Sequence, residues 1–298
     1  MSIKISVNVS EEDKHTNDVV ALAYYAGKVY SGADDGKIKI WDEDLKLIKE
    51  ISAHPVNVYS LAVAPPTGEG STATLYSSSN DGTIKAWCAD TGDFKKDLIN
   101  YENEVQVLYV NKGTLYAGDD KGSVGVFVND KLKLIFNLLE EIKDLVVDGN
   151  LMYTVRDLDL VITEFMSEES TRYMTRQTLV GKSPITLAGD KLCFASRCGK
   201  NIVCHHNNKE DKFKLLCEVE AHNMIINSLA SQKRADGSVV LISGAWDKAV
   251  KVWIIDESGK IELKGDVEFG QCVNKICVGK QGQVFIAGND GSLCRIDV

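Results

Sequence analysis

The sequence predicts an all-β protein, a β-propeller of seven four-stranded blades. Three observations carry that prediction: a short signature that recurs along the whole chain, alternation of apolar and polar residues inside each recurrence, and almost no helical periodicity. The signature reads GADDGKIKIWD at 32–42, SSNDGTIKAWC at 78–88, GDDKGSVGVFV at 118–128, GAWDKAVKVWI at 244–254 and AGNDGSLCRID at 287–297. Two weaker copies, VRDLDLVITEF at 155–165 and SRCGKNIVCHH at 196–206, fill the interval. The position of Asp35 falls in turn on Asp81, Lys121, Leu158, Gly199, Asp247 and Asp290, a mean period of 42.5 residues, so seven units cover 1–298 as a single domain.

Within the first unit the alternation predicts antiparallel strands over 19–25, 28–31, 37–41 and 45–51, separated by turns rich in Gly and Asp. A sheet this small cannot bury both faces alone, so such units stack radially into a ring. The last unit offers only three strands, the third over 292–297, and lacks an outer one. Residues 3–9, IKISVNV, alternate correctly to supply it; they are expected to pair with that C-terminal strand and clasp the ring, which removes an exposed edge.

Composition narrows the function. The chain has 298 residues, 44% of them hydrophobic, with 34 Lys+Arg against 43 Asp+Glu and a net charge of −9. Phosphate-backbone affinity comes from clustered Lys and Arg, and only six residues here are Arg, so direct nucleic-acid binding is disfavoured. No apolar run is long enough for a membrane span, and the opening MSIKISVNVSEEDK has no apolar h-region. The eight cysteines are then expected to stay reduced, in the cytoplasm or the nucleus. The sequon at Asn8 lies in a strand-like stretch and carries no weight there.

One set of side chains has the residue types of a hydrolase triad: His222, Ser243 and Asp247, followed by Trp253. The set recurs as His15, Ser31, Asp35 and Trp41 and as His54, Ser77, Asp81 and Trp87, with each His seven residues before a leucine (Leu22, Leu61, Leu229). Three copies argue for a structural role. Buried Trp, His and Ser need hydrogen-bond partners, and an Asp in the turn can accept from several of them. The set resembles the His–Ser–Asp–Trp network of the WD-repeat family, and the resemblance covers essentially the whole chain, weakest in units four and five. Units three to five have no opening His, and Phe127 stands in one Trp position.

Cys193, Cys198, Cys204, His205, His206 and Cys217 lie close in sequence, but without a CxxC knuckle they do not make a zinc motif, and no metal or cofactor is expected. Cys193 and Cys204 fall instead at apolar positions of strands. Insertions at 65–72 and 231–238 lengthen the turn between the first two strands of their units and read as hairpin tips or as specificity loops on the bottom face.

The resemblance implies that partners dock on the top face, formed by the loop entering each blade and the turn between its second and third strands. Transferring the family's contact positions gives Asp18 and Asp34 in unit one, with the apolar Val20 between, then Asn57, Tyr59 and Asn80 in unit two. Units three and four give Glu104, Gln106 and Asp120, then Glu141, Lys143 and Asp157; unit five offers only Cys198. Units six and seven give Ile225, Asn227 and Trp246, then Cys272, Asn274 and Asn289. The carboxylates gather on units one, three and four, so the rim is expected to be acidic on one side, with Tyr59 and Trp246 as aromatic anchors. Turn preference explains the Asp and Asn positions without a partner, but not Trp246.

The expected function is a non-catalytic protein–protein interaction scaffold or adaptor, a monomeric propeller that serves as a subunit of a multiprotein complex and receives a Lys/Arg-rich segment. Two alternatives are a phosphopeptide-reading adaptor of a ubiquitin ligase, for which only Arg156 and Arg197 are near the top turns, and an enzyme using the central channel. Arg156 and Arg197 could equally form salt bridges with Asp157.

Overall fold

The computed structural model describes residues 3–68, 70–167, 169–234, 237–280 and 282–298. Every regular element among them is a strand, and the strands form seven four-stranded antiparallel sheets. The first sheet comprises Val19–Tyr25, Lys28–Ala33, Lys37–Trp41 and Leu47–Ser52 in sequential order. Its fourth strand starts later than 45 because Leu45 takes a positive φ of 56° in the turn, where its N–H donates to the Asp42 carbonyl. Five more sheets repeat this order.

The seventh sheet breaks the order and so closes the ring. Val273–Val278, Gln283–Gly288 and Leu293–Asp297 are joined on the outside by Ile5–Asn8, with Ile5 opposite Ile296 and Asn8 opposite Cys294. The clasp is narrower than 3–9, yet Ile3 and Val9 on either side of it are buried, and the Val9 N–H donates to the Leu293 carbonyl at 2.9 Å. Burying those apolar side chains against a strand from the far end of the sequence ties the ring at its seam.

Apolar residues pack between adjacent blades in successive clusters. One joins Tyr30, Ile38 and Ile40 of blade one to Leu61, Leu75 and Trp87 of blade two; another joins Ile242 and Val252 of blade six to Ile276 and Ile286 of blade seven. Each second-to-third-strand turn also abuts the loop that enters the next blade. Gly82 shows why glycine stands there: its φ is +80°, and a Cβ would lie 2.0 Å from the Tyr101 carbonyl oxygen. The 82 carbonyl in turn accepts the Tyr101 N–H at 2.9 Å.

The first strand of each blade lines the central channel, a cavity of about 330 Å³ bordered by Ala21, Ser60, Val107, Asp144, Ile185, Ser231 and Lys275. Inner-strand side chains bridge neighbouring blades there. Ser60 accepts the Leu108 N–H at 3.0 Å, Ser228 accepts the Ile276 N–H at 2.9 Å, and Asp144 accepts the Ile185 N–H at 2.9 Å.

Candidate interaction surface

The repeated His–Ser–Asp–Trp sets assemble in all three blades. In blade one Trp41 donates its indole N–H to Ser31 Oγ at 2.8 Å, Ser31 lies 2.8 Å from His15 Nε2, and His15 Nδ1 faces both Asp35 oxygens at 3.0 and 3.2 Å. Blade six repeats this with Trp253, Ser243, His222 and Asp247 at 2.9, 2.8 and 3.0 Å. Every donor is used when the indole N–H and the serine O–H point along one chain, toward an imidazole whose Nδ1 proton goes to the carboxylate. Blade two inserts a relay: His54 contacts Ser77 at 2.8 Å but meets Thr83 Oγ1 at 2.9 Å, and Thr83 donates to Asp81 at 2.6 Å.

The Ser, His and Asp stand as in a hydrolytic triad, but Ser31, Ser77 and Ser243 are fully buried and each hydroxyl is already held between an indole and an imidazole. No carbonyl substrate can approach such an oxygen, so these twelve residues act as brackets that fix the turn to the sheet. Burial pushes the His54 imidazole down to about 4, against the opposing pull of Asp81. Burial alone would raise the Asp35 carboxyl; hydrogen bonds from His15, Lys37 and Thr16 together with the His15 charge bring it down to about 2.

Blade three solves the turn differently. Asp119, two residues before the aligned Lys121, is buried and accepts the backbone N–H groups of Lys121 and Ser123 at 3.0 and 2.7 Å, with Asn103 at 3.3 Å. The Asp119-Asp120 doublet was the only sequence signal for it.

The expected top-face positions do converge on one end of the ring. Turn and entering loop meet within blades: Asp34 N–H donates to the Asp18 carbonyl at 3.0 Å, Asp120 to Glu104 at 3.1 Å and Trp246 to Ile225 at 3.0 Å. Side chains then link blade to blade. Asn57 donates to Asp34 at 2.9 Å, Tyr59 to Glu104 at 3.4 Å, Gln106 to Glu141 at 2.9 Å, and the Asp290 N–H to Asp18 at 3.0 Å. Asn274 donates to Asn289 at 3.0 Å, while Asn80 and Asn227 are half-buried in blades two and six.

The acidic side is less uniform than its sequence reads. Lys121 pairs with Asp120 at 2.7 Å, and Lys143 lies 3.7 Å from Glu141 and 3.9 Å from Asp157. On blade one burial and then the nearby Asp18 and Asp35 raise the Asp34 carboxyl above the usual range, against the Asn57 hydrogen bond. Arg156 does not bridge to Asp157; it donates to the Thr154 hydroxyl at 3.1 Å and the Leu138 carbonyl at 3.2 Å, because its half-buried guanidinium needs local acceptors. It sits in a cleft of about 220 Å³ with Glu140, Glu141, Asp157 and Asp159. On blade six Trp246 is 43% exposed and Met224 47%, beside the half-buried Ile225 and Cys272.

Among the described residues no group of His, Cys, Asp and Glu has the arrangement to hold a metal ion. Cys193, Cys204 and Cys217 lie opposite one another on three adjacent strands of blade five, the first two fully buried. Of the two long turns, Ser71 closes the first on Gly68, donating from Oγ to that carbonyl at 2.6 Å, while Glu69 lies outside the described residues. The second is shorter than 231–238, because Ile226–Lys233 continues as strand; Ala235 and Asp236 lie outside the described residues.

Comparison with known proteins matches the model of the WD domain, G-beta repeat, at residues 8–42, 45–88 and 213–253. Similar sequences include the putative E3 ubiquitin-protein ligase LIN of Medicago truncatula, 27% identical over 96% of this chain and 19% of its own length. The target of rapamycin complex subunit wat1 of Schizosaccharomyces pombe is 29% identical over 38% of this chain and 36% of its own. The chain thus spans about a fifth of the length of the ligase relative. Solved structures with the same fold include the WD40 β-propeller domain of Doa1 (TM-score 0.78, 14% identity, 99% of this chain and 97% of that one) and U3-55K (TM-score 0.81, 15%, 100% and 98%).

Proposed function

We propose that this chain, a seven-bladed β-propeller that matches the WD repeat in three segments, is a non-catalytic interaction platform, one subunit of a larger protein assembly, whose top face receives a Lys/Arg-rich segment. The observation that carries the reading is the pairing of two unlike areas on one face. Asp18 and Asp34 are crowded with Asp35 on blade one, and Trp246 and Met224 are exposed on blade six. Crowded carboxylates gain from an incoming cation, and an exposed tryptophan gives an anchor whose burial supplies affinity. The relatives are named as a ligase and as a subunit of a complex, which agrees with a propeller that holds partners. The phosphopeptide alternative draws no support from Arg156, whose guanidinium is already engaged with Thr154 and Leu138. The channel's own carboxylate is engaged as well: Asp144 accepts the N–H groups of Leu145 and Ile185, so its placement fits bracing of the ring.

The test is affinity purification from native extract with quantitative mass spectrometry, comparing wild type with Asp34→Lys/Asp120→Lys/Trp246→Ala after confirming a cooperative melt. Loss of a stoichiometric partner by the folded variant is expected. Retention of every partner would move the interface off the top face.

A further inference from the structure

A second surface lies on the opposite end of the ring, between blades three and four. There a cavity of about 430 Å³ opens among Tyr116, Leu134, Phe136, Phe165 and Met166, with Lys112 and Lys133 at its edge. The Phe165 ring stacks on Phe136 at 4.9 Å and on Tyr116 at 6.4 Å, so the floor is a fixed aromatic surface, while Met166 at the lip is 46% exposed. Aromatic floors give large contact area with little entropy left to lose, and an exposed methionine adapts to what is placed against it.

The groove is open for a structural reason. The turns beside it are tight: Asn111 to Thr114 is spanned by Lys112 at φ 48° and Gly113 at φ 83°, and Asp148 to Leu151 by Gly149 and Asn150. In blade two the corresponding turn is long, and it reaches the blade-three turn, where a Cβ on Gly113 would lie 3.7 Å from the Thr67 methyl.

Charge selects the occupant. Lys112 and Lys133 are exposed, and neither is in an ion pair with any described residue, in a chain whose net charge is −9. We propose that this groove docks a linear segment of a partner protein in which one or two apolar side chains are flanked by Asp or Glu, the apolar part entering the cavity and the carboxylates meeting Lys112 and Lys133. A second copy of the chain fits less well, because two chains of net charge −9 repel each other as wholes and a stable dimer buries about 1,600 Å² in total, roughly 800 Å² on each copy. This surface is independent of the top-face reading.

The experiment selects from a random-peptide phage library on the full immobilised chain, then titrates fluorescein-labelled selected peptides by polarisation. Peptides with an apolar core and acidic flanks are expected. Lys112→Glu/Lys133→Glu should weaken them by about tenfold or more, and Met166→Asp should weaken them too, while Asp34→Lys leaves them unchanged. All four positions are outside the buried core, and a cooperative melt of each variant guards against misfolding. No enrichment overturns the proposal, as do selected peptides whose binding ignores the lysine reversal. Concentration-dependent dimerisation in light scattering, abolished by the same reversal, would assign the groove to a second copy and overturn the peptide.

Discussion

His54 Nδ1 stands 3.5 Å from the Asp81 carboxylate, whereas the matching nitrogen of His222 is 3.0 Å from both oxygens of Asp247. Thr83 has come between the first pair, and blades one and six have Lys37 and Ala249 at its position. Asp247→Ala orphans the His222 proton and the backbone N–H groups of Asn223 and Ala249, an expected loss of about 2–3 kcal/mol. Asp81→Ala leaves His54 a hydroxyl to donate to and should cost about 1 kcal/mol less. Urea unfolding of the two variants measures the difference, and equal losses would deny the threonine any bridging role.

Acid should unfold the ring in two stages. The His54 imidazole is held down to about 4 by burial, and that of His222 is also lowered, so between the ordinary histidine value and the folded one the unfolded chain binds more protons. Stability from these groups is complete above about pH 6.5 and is lost as pH falls toward 4, by up to about 3 kcal/mol for His54. Asp35, brought to about 2, adds a second loss below about pH 4. Unfolding free energies at pH 7, 5 and 4 read the first loss and one at about pH 2.5 reads the second, and a value unchanged from pH 7 to pH 5 would contradict the first.

The clasp can be removed. Without residues 1–12 the outer edge of Leu293–Asp297 loses its partner, and the sites now filled by Ile3 and Val9 are opened to water. A fall in the melting temperature of about 5–10 °C is expected. An unchanged melting curve would sink the clasp.

Two glycines separate backbone strain from collision between blades. Gly82 and Gly27 have nearly the same φ, +80° and +84°, but only at Gly82 does an added Cβ strike a carbonyl, that of Tyr101; at Gly27 nothing lies within 4 Å. Gly27→Ala should cost about 1 kcal/mol from conformation alone, and Gly82→Ala clearly more. Thermal melts that place the two variants together would mean the neighbouring loop gives way freely.

Much of this architecture could be read before any coordinates, because the blades repeat a local code: alternation for the strands and Gly and Asp for the turn, joined in blades one, two and six by a Ser and a Trp ten residues apart that must share a hydrogen bond. The code fails where a blade meets the same need with other atoms. Asp119 does in blade three what Asp35 does in blade one, but from a different position, so alignment on the turn passes over it. Contacts between blades are harder still: Ser60 reaches Leu108, and the groove beside Phe165 is assembled from two units, with no periodic spacing to announce either. The charge balance of the rim is hard to read from sequence for a related reason. Lys121 and Asp120 are sequence neighbours, yet only their geometry shows the charge of one cancelling the other.

The seam has a consequence in time. Ile5–Asn8 leaves the ribosome nearly 300 residues before its partner Leu293–Asp297, so each nascent chain carries that strand unpaired while all the blades between are made. Pairing across that separation also has the highest loop-closure cost in the molecule and should be the slowest contact to form. In pulse-labelled hydrogen exchange during refolding, the amides of these two strands are expected to gain protection last, after the six blades that close on themselves.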